Sequence, residues 1–190
     1  AEAEYGTWHD RCARIRSDGE LLDLAIRRSI ADLRLLRNDG PMRGEHYVAA
    51  GVPWFTTLFG RDSIITSLQV LPFMPDVARE TLRILADWQA TEDDPDRDME
   101  PGKILHELRV GEMARTGELP HRPYYGSIDS TPLWLVLLDE TYRWTGDLEL
   151  VRSMWPNALA ALEWIDRYGD RDGDGFVEYE RRTTSGLLNQ

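Results

Sequence analysis

The spacing of apolar residues along the chain predicts five α-helices. The predicted helices cover residues 17–37, 62–71, 75–90 and 130–146, and the fifth begins at Asp147. In each of them apolar side chains recur at the spacing of a helical turn. Ser17 and Glu20 have the spacing of a capping box at the start of the first helix. Pro156 lies inside the fifth helix and is expected to kink or split it.

The five predicted helices are of two kinds. The first, third and fifth are amphipathic, which is typical of helices with one buried face. The second and fourth are apolar nearly all round, and residues 133–138 of the fourth form an unbroken apolar run. A helix that is apolar on every side is expected to be buried on every side. The chain therefore predicts an alternation of outer and inner helices.

The segments between the predicted helices alternate in length. Short turns join the second helix to the third and the fourth to the fifth, whereas three loops, at 38–61, 91–129 and 169–190, are long. In an antiparallel array these three long loops lie on one face, and long loops in compact domains are usually functional. We predict an all-α fold, an (α/α) toroid with the first five or so helices of an (α/α)6 barrel. We expect one truncated domain over 1–190, with 1–16 as a linker from an upstream domain.

The first long loop is rich in aromatic residues and ends in an arginine–aspartate pair. Trp54, Phe55 and Phe59 precede Arg61 and Asp62. Aromatic faces beside planar groups that form paired hydrogen bonds are typical of carbohydrate sites, because together they match neighbouring sugar hydroxyls. The alternative is structural: Asp62 is an N-cap of the second helix, and Arg61 is its ion-pair partner.

The second long loop brings further polar residues to the start of the other inner helix. Glu107 and Tyr125 lie in this loop, and Asp129 directly precedes the fourth helix. Capping is again the structural alternative for Asp129. We interpret His106 and His121 as structural histidines, because their spacing with Glu107 matches no known metal-ligand motif.

The third long loop begins like a calcium-binding loop. Asp170, Asp172 and Asp174 occupy its first, third and fifth positions, and Gly175 follows. The twelfth position of such loops carries a glutamate with two ligating oxygens, but here it is Arg181. We interpret the segment as a tight acidic turn and keep the three aspartates as an alternative calcium site. No other metal and no cofactor is expected.

The composition narrows the possible partners. The 34 acidic residues outnumber the 22 lysine and arginine residues, which gives a formal net charge of −12. Nucleic acid and anionic membrane surfaces need a basic face, so we exclude both as partners. The single cysteine, Cys12, excludes an intrachain disulfide and a paired-cysteine zinc site. No apolar run approaches the roughly 20 residues of a membrane span, and we expect a cytoplasmic protein.

Six short strings occur along the chain in a fixed order. They are AAGVPW (49–54), FGRDS (59–63), PGKILHE (101–107), YYGSIDSTP (124–132), DGDGF (172–176) and GLLNQ (186–190). Each string alone is a weak signal, but their combined order and spacing resemble the bacterial glycogen-debranching-like proteins of the amylo-α-1,6-glucosidase type. The resemblance implies a glycoside hydrolase with an (α/α)6 barrel that cleaves α-glucosidic bonds in glucans. It also implies a mostly β domain upstream.

The same resemblance implies which residues contact the substrate. They are Trp54, Phe59, Arg61, Asp62, Glu107, Tyr125 and Asp129. The arginine and the aspartate beside it would bind sugar hydroxyls at the cleavage subsite, and the tryptophan and phenylalanine would form its walls. The glutamate, the tyrosine and the last aspartate would add polar contacts.

The catalytic carboxylates are expected outside this chain. In the family, Asn-Gln is followed by Gly-Trp-Lys-Asp-Ser, whose aspartate is the expected general acid, and the general base lies further on. Both are therefore expected beyond Gln190. Glycoside hydrolysis needs both groups, so the polypeptide by itself is expected to be inactive. A half barrel would also expose apolar helix faces, which predicts self-association or pairing with the missing half of the barrel.

Two other functions stay open at this point. One is a glycosidase of the same fold that acts on a glucosylated or mannosylated small molecule, since loop aromatics do not determine substrate length. The other is a non-catalytic carbohydrate-binding or scaffold protein. The first differs from the glucan hydrolase in its ligand, and the second differs from both in the absence of turnover.

Overall fold

The computed structural model describes residues 8, 10–42, 44–109, 123–180 and 182, and α-helices dominate its fold. In this part of the chain the five α-helices are α1 (Glu20–Leu36), α2 (Gly60–Val70), α3 (Pro75–Asp87), α4 (Ser130–Thr145) and α5 (Leu148–Trp164). A short 3₁₀ helix covers Pro95–Arg97, and a π-helical turn, Ile165–Gly169, follows α5. None of the described helices is both long and apolar enough to cross a membrane.

Two small antiparallel sheets connect the helices. β1 (Arg37–Asp39) pairs with β2 (His46–Val48), and β3 (Leu58–Phe59) pairs with β4 (Glu107–Leu108). In the second pairing, Phe59 lies opposite Glu107 and Leu58 opposite Leu108. This pairing joins the first long loop to the second long loop directly before α2. It therefore sets the position of the α2 N-terminus relative to the second long loop.

α3 lies at the centre of the described core. It packs against α2, α4, α5 and β2, and its buried residues include Leu82 and Leu85. Trp134 of α4 is fully buried, and its indole Nε1 donates a hydrogen bond to the carbonyl of Leu82 at 3.2 Å. The Ser67 hydroxyl of α2 donates to the Ser63 carbonyl at 2.7 Å and accepts a hydrogen bond from the Thr81 hydroxyl of α3 at 2.9 Å. The two polar side chains buried between α2 and α3 thus satisfy each other, as buried hydroxyls generally must.

Two predicted helix starts are wrong. The capping box predicted from Ser17 and Glu20 does not form, because Gly19 is the N-cap of α1 and its amide donates to the Ser17 hydroxyl at 3.0 Å. α2 begins at Gly60, two residues before the predicted start, with Phe59 as its N-cap. β3 runs as far as Phe59, so the helix begins directly after the strand.

The boundaries of the last two helices agree with the predictions. α4 begins at Ser130 and ends before Gly146, whose φ of 68° is the left-handed conformation that favours glycine after a helix. Asp147 is the N-cap of α5, and its side chain accepts a hydrogen bond from the Leu150 amide at 3.0 Å. α5 continues through Pro156, so the proline does not split it.

The predicted division into inner and outer helices fails within the described residues. α4 is predicted to be buried on every side, but Val136, Tyr142 and Trp144 on its surface are exposed. α3 is predicted as an outer helix, yet it buries more of its residues than any other described helix. The reason is its position, since other helices and β2 cover α3 on several sides and leave one side of α4 free.

Candidate functional site

A pocket of about 690 Å³ lies at the N-terminal ends of α2 and α4. Its lining includes Ala50, Phe55, Phe59, Arg61, Asp62, His106, residues 126–129 and Tyr179. These residues come from the first long loop with the start of α2, from the second long loop, and from the third long loop. The predicted placement of the three long loops on one face is therefore confirmed at this pocket.

The wall that carries Arg61 and Asp62 is formed by a close approach of two backbone segments. The Gly60 amide donates to the His106 carbonyl at 2.8 Å, directly after the β3–β4 pairing. A Cβ atom on Gly60 would lie 2.0 Å from the carbonyl oxygen of Leu105, which is far inside van der Waals contact. Only glycine fits at this position, and it lets α2 begin against the second long loop.

Arg61 and Asp129 form an ion pair between the N-terminal ends of α2 and α4, and both residues line the pocket. Arg61 Nη1 donates to Asp129 Oδ2 at 3.2 Å, whereas Asp129 Oδ1 is buried without a hydrogen-bond partner among the described residues. Asp129 is the N-cap residue of α4, but its side chain makes no capping hydrogen bond. Asp62 lies in the first turn of α2, after the Phe59 N-cap, and no side chain caps that helix. The capping alternative is therefore wrong for both aspartates.

Aromatic rings form a continuous row beside these charged groups. Phe55 and Phe59 meet edge to face with ring centroids 5.9 Å apart, and Phe59 meets the His106 ring at the same distance. His106 in turn meets Tyr124 at 6.0 Å. Such edge-to-face pairs hold each ring in one orientation. The row gives the pocket an apolar wall next to the Arg61–Asp129 ion pair.

His106 is an unusual member of that row. Its side chain is buried, and within the described part of the chain neither ring nitrogen has a hydrogen-bond partner. Burial lowers the pKa of the imidazole, and the charge of Arg61 acts in the same direction, while Glu107, Asp129 and Asp62 raise it. The neutral imidazole is therefore favoured. His106 is predicted to be a structural histidine, but the described residues supply no hydrogen-bond partner for its ring. His121 lies outside the described residues.

Three residues predicted for the site do not line this pocket. Trp54 is 78% exposed at the tip of the first long loop. Glu107 is buried, with an ion pair to Arg109. Tyr125 is buried, and its hydroxyl donates to the Trp88 carbonyl at 2.7 Å, while burial raises its pKa to about 12. Phe59, Arg61, Asp62 and Asp129 are the predicted residues that the structure brings together.

Tyr179 lines the pocket and was not predicted to do so. It comes from the third long loop, where it follows the acidic turn at 170–176. An isolated tyrosine after such a turn carries no periodic or motif signal of its own. Its place in the pocket follows from hydrogen bonds and ion pairs that connect the third long loop to the second.

The acidic turn of the third long loop is held by its own carboxylates. Asp170 accepts hydrogen bonds from the Gly173 and Gly175 amides, and Asp172 and Asp174 each accept one from the amide two residues later. Both glycines have positive φ. One oxygen from each of the three aspartates and Glu178 lies within 4.8 Å of the others. The tight turn is thus present, and Arg181 lies outside the described residues.

A comparison of the sequence with known protein-family models finds no match. The pocket combines an apolar aromatic wall, an arginine, two carboxylates at helix N-termini and a tyrosine in one cavity.

Proposed function

We propose that this chain forms the sugar-binding part of an α-glucan glycoside hydrolase of the amylo-α-1,6-glucosidase type. The proposal includes an (α/α) barrel as the complete fold and a cytoplasmic location. It rests on the pocket in which Phe59, Arg61, Asp62 and Asp129 meet. The resemblance of the six sequence strings points to the same class of ligand.

The chemistry of the pocket suits a carbohydrate. A sugar ring has apolar C–H faces and an equatorial edge of hydroxyls, and sites for it combine aromatic surfaces with a few well-placed polar groups. Phe55 and Phe59 supply the apolar surface, and the Arg61 guanidinium supplies several fixed N–H donors. The carboxylates of Asp62 and Asp129, which both line the pocket, supply acceptors for ligand hydroxyls.

The proposed role of these residues is to bind and orient the substrate. Hydrolysis needs in addition an acid for the leaving oxygen and a base for water, and we propose that neither belongs to the residues of this pocket. Arg61 and Asp129 would hold neighbouring hydroxyls, and Asp62 would accept a further hydrogen bond. The charged hydrogen bonds to ligand hydroxyls would contribute most of the specificity.

The proposal is tested by titrating the chain with maltotriose in a calorimeter. Arg61→Ala is expected to weaken binding at least about tenfold, because a charged hydrogen bond is lost. Asp62→Asn is expected to weaken it about threefold or more, since the amide is a poorer acceptor than the carboxylate. Both variants should melt like the parent chain, because Arg61 and Asp62 are partly exposed and cap no helix.

Arg143→Ala is the matched control. Arg143 also forms an ion pair with an aspartate, Asp139, but on the exposed surface of α4. Its removal should leave maltotriose affinity unchanged. Tight binding of glucosylglycerate with none of maltotriose would favour the glycosidase of small glycosides. The absence of binding to both sugars, or equal affinities of the parent and Arg61→Ala, would contradict the proposal.

A further inference from the structure

We propose that a second pocket, at the C-terminal end of α1, binds a small phosphorylated ligand that also carries hydroxyl groups. Three arginines hold the phosphate, and polar side chains of β1 accept hydrogen bonds from the hydroxyls. The inference goes beyond the proposed function and does not rest on it. Neither the sequence motifs nor the resemblance assigns a role to the residues of this pocket.

The second pocket has the size of a small-molecule site. Its volume is about 470 Å³, and sites for small molecules and cofactors measure about 300–1,000 Å³. Its described lining residues are Trp8, Arg11, Arg34, Arg37, Asn38, Asp39 and His46. Among the described residues, no side chain lines both this pocket and the one at the N-terminal ends of α2 and α4. The two cavities are therefore separate binding sites.

Local structure brings the lining residues together. Arg34 lies in the last turn of α1, and Arg37 directly follows that helix as the first residue of β1. Residues three apart lie on the same side of a helix end. Asp39 of β1 lies opposite His46 of β2 in the antiparallel pairing. Arg11 joins them from the segment before α1.

Two of the three arginines are held in place without any ligand. Arg37 Nε and Nη2 donate to the two carboxylate oxygens of Glu80 at 3.1 and 2.7 Å. The Arg37 guanidinium also lies 5.8 Å from the centroid of the Trp8 ring. Arg11 Nε and Nη2 donate to Asp76 Oδ2 at 3.0 and 2.6 Å. Groups that are already oriented lose less conformational entropy when a ligand binds.

The three guanidinium groups keep free donors for a ligand. Each guanidinium carries five N–H donors, and the bonds to Glu80 and Asp76 leave several of them on Arg37 and Arg11. The Arg34 guanidinium has no ion pair and no hydrogen bond within the described part of the chain. Arginine forks match the oxygens of a phosphate group better than any other side chain. The pocket is thus suited to a phosphate.

The charges in the lining favour a ligand with a single phosphate. Three arginines face one described carboxylate, Asp39, whose side chain is 92% exposed and whose Oδ1 lies 3.0 Å from His46 Nδ1. Water therefore screens the negative charge of Asp39. The net charge of −12 on the whole chain repels a polyanion at longer range.

Two acceptors beside the arginines suit hydroxyl groups of the same ligand. Asn38 Nδ2 donates to the Leu36 carbonyl at 2.8 Å, and its amide oxygen is the acceptor of that side chain. Asp39 supplies carboxylate oxygens next to it in β1. An inorganic phosphate leaves these acceptors unused, whereas a phosphorylated polyol engages both kinds of group.

A purely structural role explains two of the arginines but not the third. Arg11 and Arg37 neutralise Asp76 and Glu80, but Arg34 has no acidic partner among the described residues. As a cation in the last turn of α1, Arg34 stabilises that helix end only slightly. Arg34 therefore discriminates between the two roles, because a structural role predicts no effect of its removal on a ligand.

The test is calorimetric titration of the chain in phosphate-free buffer with glycerol 3-phosphate, inorganic phosphate and glycerol. We expect glycerol 3-phosphate to bind, inorganic phosphate to bind more weakly, and glycerol not to bind. Arg34→Gln should weaken the binding of glycerol 3-phosphate at least about tenfold, because charged hydrogen bonds are lost. Arg34→Lys should lose less, since lysine keeps the charge but not the planar fork.

Arg28→Gln is the matched control. It removes the same charge from the same helix, but Arg28 pairs with Asp32 on the exposed surface, outside the pocket lining. Arg28→Gln should bind glycerol 3-phosphate like the parent chain. Arg61→Ala should do so as well, because Arg61 lines the other pocket. Thermal melts of all variants separate lost binding from unfolding.

Four outcomes would overturn the inference. They are no binding of glycerol 3-phosphate to the parent chain, equal affinity of the parent and Arg34→Gln, an equal loss in Arg34→Gln and Arg28→Gln, and a loss in Arg61→Ala instead of Arg34→Gln. Equal affinities for inorganic phosphate and glycerol 3-phosphate would overturn the assignment of a hydroxyl-bearing ligand. Maltotriose binding should be the same in Arg34→Gln and the parent chain, so the proposed function stands or falls independently.

Discussion

His106 shows how a single residue acquires properties that its position in the sequence does not indicate. It follows an apolar pair in the second long loop, and the structure buries it between the rings of Phe59 and Tyr124. Burial without a hydrogen-bond partner in the described residues disfavours the charged imidazole. The unfolded chain has no such constraint, so the proton affinity of His106 differs between the two states.

This difference predicts a pH dependence of stability. The folded pKa of His106 is lowered below the unfolded value of about 6.5, so its contribution is complete above that pH and is lost as the pH falls below it. We expect the free energy of unfolding to fall between pH 7 and pH 5.5, by up to about 1.4 kcal/mol per pH unit from this group. Urea denaturation of the parent chain and of His106→Gln measures the effect.

His106→Gln should reduce the pH slope of the parent chain, because glutamine has no proton to gain in this range. Equal slopes in the two proteins would show that His106 is not held neutral in the folded state.

At the scale of elements, the β3–β4 pairing decides where α2 begins. The strand pair ends at Phe59, and the helix starts at Gly60 against the carbonyl of Leu105. The start of α2 in turn places Arg61 and Asp62 at the pocket. A short sheet of two residues per strand therefore controls the geometry of the candidate site.

Gly60→Ala is expected to destabilise the protein by more than about 2 kcal/mol, because its Cβ would meet the Leu105 carbonyl oxygen and neither backbone segment can move freely. Chemical denaturation of the variant gives the value. Gly19→Ala is the control, since a Cβ there meets nothing closer than 3.4 Å. If the two alanine variants were equally stable, the close approach at Gly60 would not be present in solution.

At the scale of the whole molecule, long-range contacts hold the site together, and an apolar face of α5 is exposed among the described residues. Glu100 pairs with Arg171 and Arg182, which lie 71 and 82 positions further along the chain, and these contacts hold the third long loop beside the pocket. On α5, Trp155, Leu159 and Leu162 recur at helical spacing and are all exposed. A continuous apolar stripe of this kind is typical of an interaction surface.

We expect this stripe to pair with a second copy of the chain, and sedimentation velocity should show a mass that rises with concentration. Leu159→Glu should shift the equilibrium to the monomer, because a carboxylate at the stripe would be buried without a partner. Arg152→Gln is the control, since it changes the net charge by the same amount at another exposed position of α5. A concentration-independent monomer in the parent chain would contradict the expectation.

Much of the helical framework could be predicted, because its signals are local. Apolar periodicity placed all five described helices, and Gly146 and Asp147 marked the end of α4 and the start of α5. The starts of α1 and α2 could not be predicted, because no side chain caps either helix. Gly19 is the N-cap residue of α1, and α2 begins where strand β3 ends.

The sequence by itself determined the helices, the convergence of the three long loops and four pocket residues: Phe59, Arg61, Asp62 and Asp129. These follow from local periodicity and from the position of each residue next to a helix start. Only the tertiary structure decided which helix is buried, that Trp54 and Tyr125 lie outside the pocket, and that Tyr179 lies within it. Burial and pocket lining depend on contacts between segments far apart in the chain, and single-sequence patterns do not encode those contacts.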